Sequence, residues 1–238
     1  MMKTITTTAI VFCLLLIACK SKNNSTAETN LNKVINQTAG ESTTDWSGKL
    51  TELFTLEMAA AVTGYAPAEA KQDYNQVLKN SSTHSLAYRW EKGRSKAINN
   101  PINNKTMEVP ADDFIQLAWV RATTLNEFKR NYHTPTAEEK ANAEQAMKGK
   151  LKQMEQEGAI SSEQSAAAEN IATGLGDELS FTEVPGVGEY AVWNNKQKQL
   201  KVFYKGLEFE ITAELASDEV VNKQKSIEAA KLIIQKKL

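Results

Sequence analysis

Cysteine is almost absent from this chain. The only two, Cys13 and Cys19, fall within the first nineteen of 238 residues. The remaining body has no thiol, which excludes disulfides, thiolate catalysis and cysteine-based zinc sites together. Histidine is equally scarce: His84 and His133 stand far apart, with no H-x-x-x-H or related spacing. Surface or structural roles suit them better than metal ligation, which would need both together with acids such as Asp112 or Asp113. The sequence carries neither a G-x-S-x-G elbow nor an S-x-x-K motif, the usual settings of an activated serine. A basic excess is also missing, with 28 Lys and Arg against 29 Asp and Glu. That balance argues against a nucleic-acid partner. No apolar run reaches the roughly 20 residues of a membrane-spanning helix. Without disulfides or metal, the fold must be held by its core, and a chain of about 190 residues buries roughly 70% of its unfolded surface.

What the sequence does have begins at its N-terminus. Lys3 is followed by an uncharged apolar run from Ala9 to Ala18, and the composition turns polar after Leu16-Ile17-Ala18-Cys19. Run length and flanks fit a secretory signal. The four residues resemble the lipobox of bacterial lipoproteins, in which the cysteine sulfur is diacylated and the chain is cut just before it. That resemblance implies a signal peptide at 1–18 and a lipidated N-terminus at Cys19. It also implies a membrane partner reached through two or three acyl chains, a firmer hold than the marginal one a single chain gives. Lys20, in place of an aspartate, points within that class to the outer membrane, facing the periplasm. Residues 20–45 are rich in Asn, Ser, Thr and Lys and read as a tether spanning about 25–30 Å.

The folded part should start near Trp46 and run to 238 as an α+β domain. Thr55 caps a short helix, Leu56–Thr63, which Gly64 stops. Tyr65–Leu78 stays ambiguous between a helical turn opened by Pro67 and something else. His84–Glu91 alternates, with Leu86, Tyr88 and Trp90 on one face. Lys92-Gly93 then reads as a hairpin turn into Arg94–Ile98, followed by an Asn- and Pro-rich loop, Asn99–Lys105. Phe114–Arg121 is a third, strongly apolar strand. Capping boxes at Thr124/Glu127 and Thr136/Glu139 open two helices, the longer carrying an Ala143, Met147, Leu151, Met154 stripe. That methionine stripe reads as packing before it reads as a partner groove. Ser161 or Ser162 caps another helix, ending near Gly174. Glu189–Trp193, Gln199–Tyr204 and Leu207–Leu215 form a meander, the last strand alternating Leu207, Phe209, Ile211 and Ala213 with a wet face of Glu208, Glu210, Thr212 and Glu214. Ser217 or Asp218 caps a final helix with its stripe at Val220, Gln224, Ile227, Ala230 and Ile234.

Short helix, about three strands and long helix recur in this order. The expected architecture is therefore an antiparallel sheet with helices on one face, a possible duplication with halves 46–157 and 158–238. Gly186-x-Gly188-Glu189-x-Ala191-x-Trp193, followed by Leu200-Lys201-Val202 and a last helix, resembles small envelope lipoproteins of unknown function. The resemblance spans about 50 residues, implies an α+β fold and carries over no catalytic residues. The same glycines satisfy G-x-G-x-x-A, but that chemistry needs a helix at the second glycine. A strand follows instead, so no nucleotide or other cofactor is expected.

Two acid pairs, Asp112-Asp113 and Asp177-Glu178, could in principle serve a carboxylate-dependent hydrolase, which needs carboxyls facing each other across a bond. Adjacent loop acids more often cap or solvate. The densest cluster is Tyr88, Arg89, Trp90, Lys92, Arg94 and Lys96, which could grip an anionic envelope polymer through arginine forks and aromatic stacking. The plainer reading sends Tyr88 and Trp90 into the core and leaves the cations to protect a sheet edge. Truncating Arg89, Arg94 and Lys96 together should leave folding intact, and unchanged retention on anionic glycans would then remove the binding idea. The sequence thus leads to a membrane-anchored, non-catalytic binding module that recognises an envelope component or protein partner. The alternatives are a hydrolase and a structural accessory of an envelope assembly.

Overall fold

The computed structural model describes residues 46–99, 105–177 and 179–238, with side chains described outside 172–178. The expected signal segment at 1–18, Cys19, the expected tether at 20–45, most of the Asn- and Pro-rich loop and Glu178 lie outside the described residues. The chain divides into two compact units, a helical hairpin within 135–177 and a sheet unit formed from the chain on either side.

The sheet unit holds helices α1 (Leu50–Leu53) and α2 (Leu56–Thr63), then strands β1 (Lys71–Asn75), β2 (Ser85–Asn99) and β3 (Thr106–Ala122). Helix α3 (Leu125–Asn131) follows β3. The hairpin consists of α4 (Ala137–Gln156) and α5 (Ser162–Asp177). Beyond it come β4 (Phe181–Glu183), β5 (Tyr190–Asn194), β6 (Gln199–Tyr204), β7 (Leu207–Glu214) and α6 (Glu219–Lys237). All seven strands form one antiparallel sheet in the order β1-β2-β3-β7-β6-β5-β4. The α+β expectation holds, and two meanders meet at their last strands, β3 beside β7.

Alternation explains the main core. Leu86, Tyr88, Trp90, Ile115, Leu117, Phe209 and Ile211 share one face and are buried against α1, α2 and α6. Full burial of such side chains stabilises by about 1.5–3 kcal/mol each. The helix starts follow their sequence signals. Thr55 Oγ1 accepts from Met58 N, both capping boxes close, and Asp218 caps α6 through Val220 N. Ser161 caps α5 through Gln164 N.

Several expectations are corrected. Lys92-Gly93 is not a hairpin turn: β2 runs on from Ser85 to Asn99, and Gly93, at φ +71, sits in a bulge between Trp90 and Arg94. The ambiguous stretch 65–78 contains a 3-10 turn at Pro67–Glu69 and then an edge strand, β1. The stripe of α6 holds only in part. Ala230 is buried and Ile227 and Ile234 pack on the core as expected, but Val220 is 74% exposed and Gln224 also faces solvent, and Asn222, Ser226, Ala229 and Ile233 complete the inward face. Asn222 earns that position by binding the strand end, accepting from Leu215 N and Ala216 N and donating to Ala216 O.

Not every helix lies on the main core face. Phe128 of α3 packs with Val192 and Phe203, whose side chains alternate to the other side of β5 and β6. The 157/158 boundary between the expected halves falls between the two helices of the hairpin. Within the hairpin Met147, Leu151 and Met154 are half-buried and Lys148 pairs with Glu169. On the sheet side, Thr134 Oγ1 accepts from Phe181 N and donates to Phe181 O, tying together the residues where the chain leaves the sheet unit and returns.

Candidate functional site

The six clustered residues do not act as one surface. Tyr88 is 2% exposed and donates to Phe54 O at 3.0 Å; Trp90 is fully buried and donates to Ala66 O at 3.0 Å. Both aromatics belong to the core, so neither is available to stack on a sugar ring. Arg89 stays on the sheet surface, 4.9 Å over the Phe114 ring and 3.5 Å from Asp73. Lys92 pairs with Glu69 and lies 4.8 Å over the Tyr65 ring.

Arg94 and Lys96 come together differently. Past the bulge β2 pairs only with β3, because β1 starts opposite Arg89 and β7 stops opposite Phe114. The distal ribbon therefore leaves the sheet, and a cleft of 660 Å³ opens between it and the start of α6. Arg94, Ser95 and Lys96 line it from β2 and Glu108 from β3. Glu214, Ser217 and Glu219 line it from the β7–α6 junction, and Lys198 from the turn before β6.

Its charges differ in how firmly they are held. Arg94 is a fixed wall. Its Nε is 2.6 Å from Asp113 Oδ1, and its terminal nitrogen donates to Asp112 O and to the carbonyl and carboxylate of Glu214. Tyr65 donates to the other Asp113 oxygen at 2.5 Å, and burial together with that carboxylate pushes its phenol up to about 12. Asp113 has both oxygens engaged, so 112–113 does not present two free carboxyls to a substrate bond. The second acid pair, Asp177-Glu178, lies outside the described side chains.

Lys96 and Lys198 are looser. Lys96 lies 3.4 Å from Glu214 and is about half exposed; Lys198 lies 2.5 Å from Glu219 with both partners about half exposed. The Lys198 hydrogen bond holds the Glu219 carboxyl below the usual carboxylate range. Such pairs are worth only about 0–1 kcal/mol, so an incoming ligand's carboxylate can take over either lysine at little cost, while Glu214 stays held by Arg94. Glu108, Lys198 and Glu219 were not singled out by sequence, and Ser217 only as a helix cap, since they come from separate segments.

A second polar cluster lies on the other face of the sheet, where alternation predicted a wet surface. Glu208 and Glu210 are each 2% exposed. Glu208 Oε1 accepts from Arg121 Nε at 2.6 Å and from Tyr132 OH at 3.0 Å, and Lys201 pairs with Glu210. Burial and the Glu208 charge raise the Tyr132 phenol. Glu208 Oε2 is buried without a hydrogen-bond partner, but the Arg121–Glu208 and Lys201–Glu210 pairs join opposed strand positions and present no open site.

Among the described residues no group of three or more His, Cys, Asp or Glu is arranged to hold a metal ion. His84 Nε2 and His133 Nδ1 each face a backbone carbonyl, of Leu78 and Arg130. Gly186 and Gly188, both at positive φ, lead into β5 and not into a helix, as the nucleotide argument required. No described helix is long and apolar enough to cross a membrane. Comparison with known protein families, curated proteins and solved structures found no match.

Proposed function

We propose that the protein is a lipid-anchored, non-catalytic binding module of the cell envelope. It is acylated on Cys19, held at the outer membrane facing the periplasm, and takes a polar envelope component or partner segment into the cleft beside Arg94. The observation that carries this reading is the cleft's division of labour. A locked arginine with Glu214 sets one wall, while two half-exposed lysines, Lys96 and Lys198, in weak pairs stand ready to exchange their partners for an anionic group of a ligand that also carries hydroxyls. The hydroxyls of Ser95 and Ser217 add donors and acceptors suited to a sugar or a peptide backbone.

The test is affinity capture from the protein's own solubilised envelope, read by mass spectrometry, with the wild-type chain and Lys96→Ala/Lys198→Ala side by side. Both lysines are surface groups in weak pairs, so the variant should fold as wild type does. Components captured by wild type and lost by the variant support the cleft. An identical capture profile overturns it.

A further inference from the structure

The end of the sheet where β1 stops and β2 begins gathers exposed apolar side chains that the cleft does not use. Val77 is 87% exposed, Leu78 61% and Trp119 43%. Trp119 is turned outward by its backbone. It stands at φ +53 in the β3 bulge between Ala118 and Arg121, while its neighbour Val120 goes into the main core. A bulky side chain at positive φ is an outlier that the surrounding structure must impose, and such outliers collect at functional places. Here the imposed conformation leaves about two-fifths of a large aromatic side chain in water.

The three residues share one locality. Ala118 pairs with Ser85, so Trp119 lies just past the first residue of β2, where the 3-10 turn Ser81–Thr83 runs beside β3. His84 Nε2 is 2.9 Å from Leu78 O, which keeps the Val77-Leu78 loop at the same end. The described chain also begins there: Ser47 Oγ is 2.7 Å from Ser81 Oγ, and Tyr74 donates to Gly48 O at 2.8 Å. From Tyr74 to Trp90 there is no Asp or Glu, and Lys49 and Lys79 are exposed.

We infer that this end, with Trp119, Val77, Leu78 and Lys79, is a docking surface for a lipid bilayer. The inference rests on the lipid-anchor reading, because the segment bearing Cys19 joins the fold at this patch. An indole and two aliphatic chains suit the headgroup interface, where amphipathic rings sit, and lysines suit anionic lipid. The tether raises the local concentration of membrane to the millimolar range, so a patch too weak to bind alone suffices. Docking also orients the cleft. Arg94 lies nine positions along β2 from Ser85, about 30 Å at roughly 3.3 Å per residue, so the cleft points away from the membrane.

Full-length chain is expressed and purified from bacterial membranes, and its intact mass is read first, which tests acylation alone. The protein is then reconstituted into phosphatidylethanolamine–phosphatidylglycerol vesicles containing brominated acyl chains, and tryptophan quenching is measured. Wild type should be quenched. Trp119→Asn, chosen because asparagine tolerates positive φ, should lose most of that quenching, and Val77→Ser/Leu78→Ser should reduce it. Acylated protein with quenching unchanged by Trp119→Asn overturns the docking surface and leaves the anchor standing. A concentration-dependent dimer abolished by Trp119→Asn, without quenching, assigns the patch to a second copy and overturns it equally. A mass without acyl chains overturns the anchor; the docking surface then survives only if the unacylated protein floats with the vesicles and Trp119→Asn does not.

Discussion

Arg94 Nε lies 2.6 Å from Asp113 Oδ1, and Tyr65 OH lies 2.5 Å from the other oxygen of the same carboxylate. The contact joins the distal ribbon to the start of the apolar part of β3, across the bulge at Gly93. Asp113 is 3% exposed, so removing its cation leaves a buried, partly compensated charge. Arg94→Ala should therefore cost about 3–5 kcal/mol, read as a lower urea midpoint. Arg89→Ala, on the exposed sheet surface, should change stability by no more than about 0.5 kcal/mol. The expectation that Arg89, Arg94 and Lys96 can be truncated together without harm to folding does not survive this geometry. Equal effects of the two single substitutions would show that the Arg94 network is not structural.

Lys201 and Glu210 make a more deeply buried pair on directly opposed positions of β6 and β7. Lys201→Met should destabilise by about 3–5 kcal/mol because Glu210 loses its partner in a site with little water. Lys201→Met/Glu210→Leu should recover most of that loss, since apolar replacement of a whole buried pair is often neutral or favourable. A double-mutant cycle by chemical denaturation checks this. A double variant as unstable as the sum of the two single variants would mean that the pair is not the interacting unit.

Gly188 has no room for a side chain. A Cβ there would lie 2.5 Å from Phe203 O, and φ is +60. Gly186 is also at positive φ, +75, but a Cβ would meet open space. The two glycines thus separate crowding from backbone preference. Gly186→Ala should cost about 1–2 kcal/mol, the left-handed penalty alone, and Gly188→Ala clearly more, because its clash is with backbone. Thermal unfolding of the two variants gives the order, and a reversed order would contradict the packing of this turn on β6.

Strands β5 to β7 were legible because their signals are local: strict alternation in β7 and turns at Asn194-Asn195 and Lys205-Gly206; the three-residue edge strand β4 was not expected. The β2 bulge was misread for an equally local reason. A glycine after lysine at positive φ serves a hairpin turn and a bulge alike, and only pairing with β3 decides between them. Strand β1, Lys-Gln-Asp-Tyr-Asn, has no apolar rhythm because it is an exposed edge. Burial of Glu208 and Glu210 could not be read from their alternation, since it depends on α3 and on Lys201 and Arg121 from elsewhere in the chain. Of the cleft, only Arg94 and Lys96 carried a sequence signal; the walls opposite them are brought in by the β7–α6 junction and the turn before β6.

Alkaline stability should reveal the buried phenols. Burial pushes Tyr88 up to about 12, with Glu57 adding to the shift, and Tyr65 also rises to about 12, by burial and by the Asp113 carboxylate. An unfolded tyrosine ionises near 10. A group whose folded pKa is raised stabilises the native state fully below the unfolded value, and that contribution is lost as pH climbs through the folded value. Stability should therefore hold up to about pH 10 and fall between about 10 and 12, with part of the tyrosinate absorbance appearing only as the fold opens. Tyr88→Phe keeps the ring against Phe54 but removes the hydroxyl that donates to Phe54 O. The variant should be less stable at neutral pH by about 1 kcal/mol, yet lose less on going from pH 9 to pH 12. Parallel alkaline limbs for wild type and Tyr88→Phe would show that this phenol does not drive the transition.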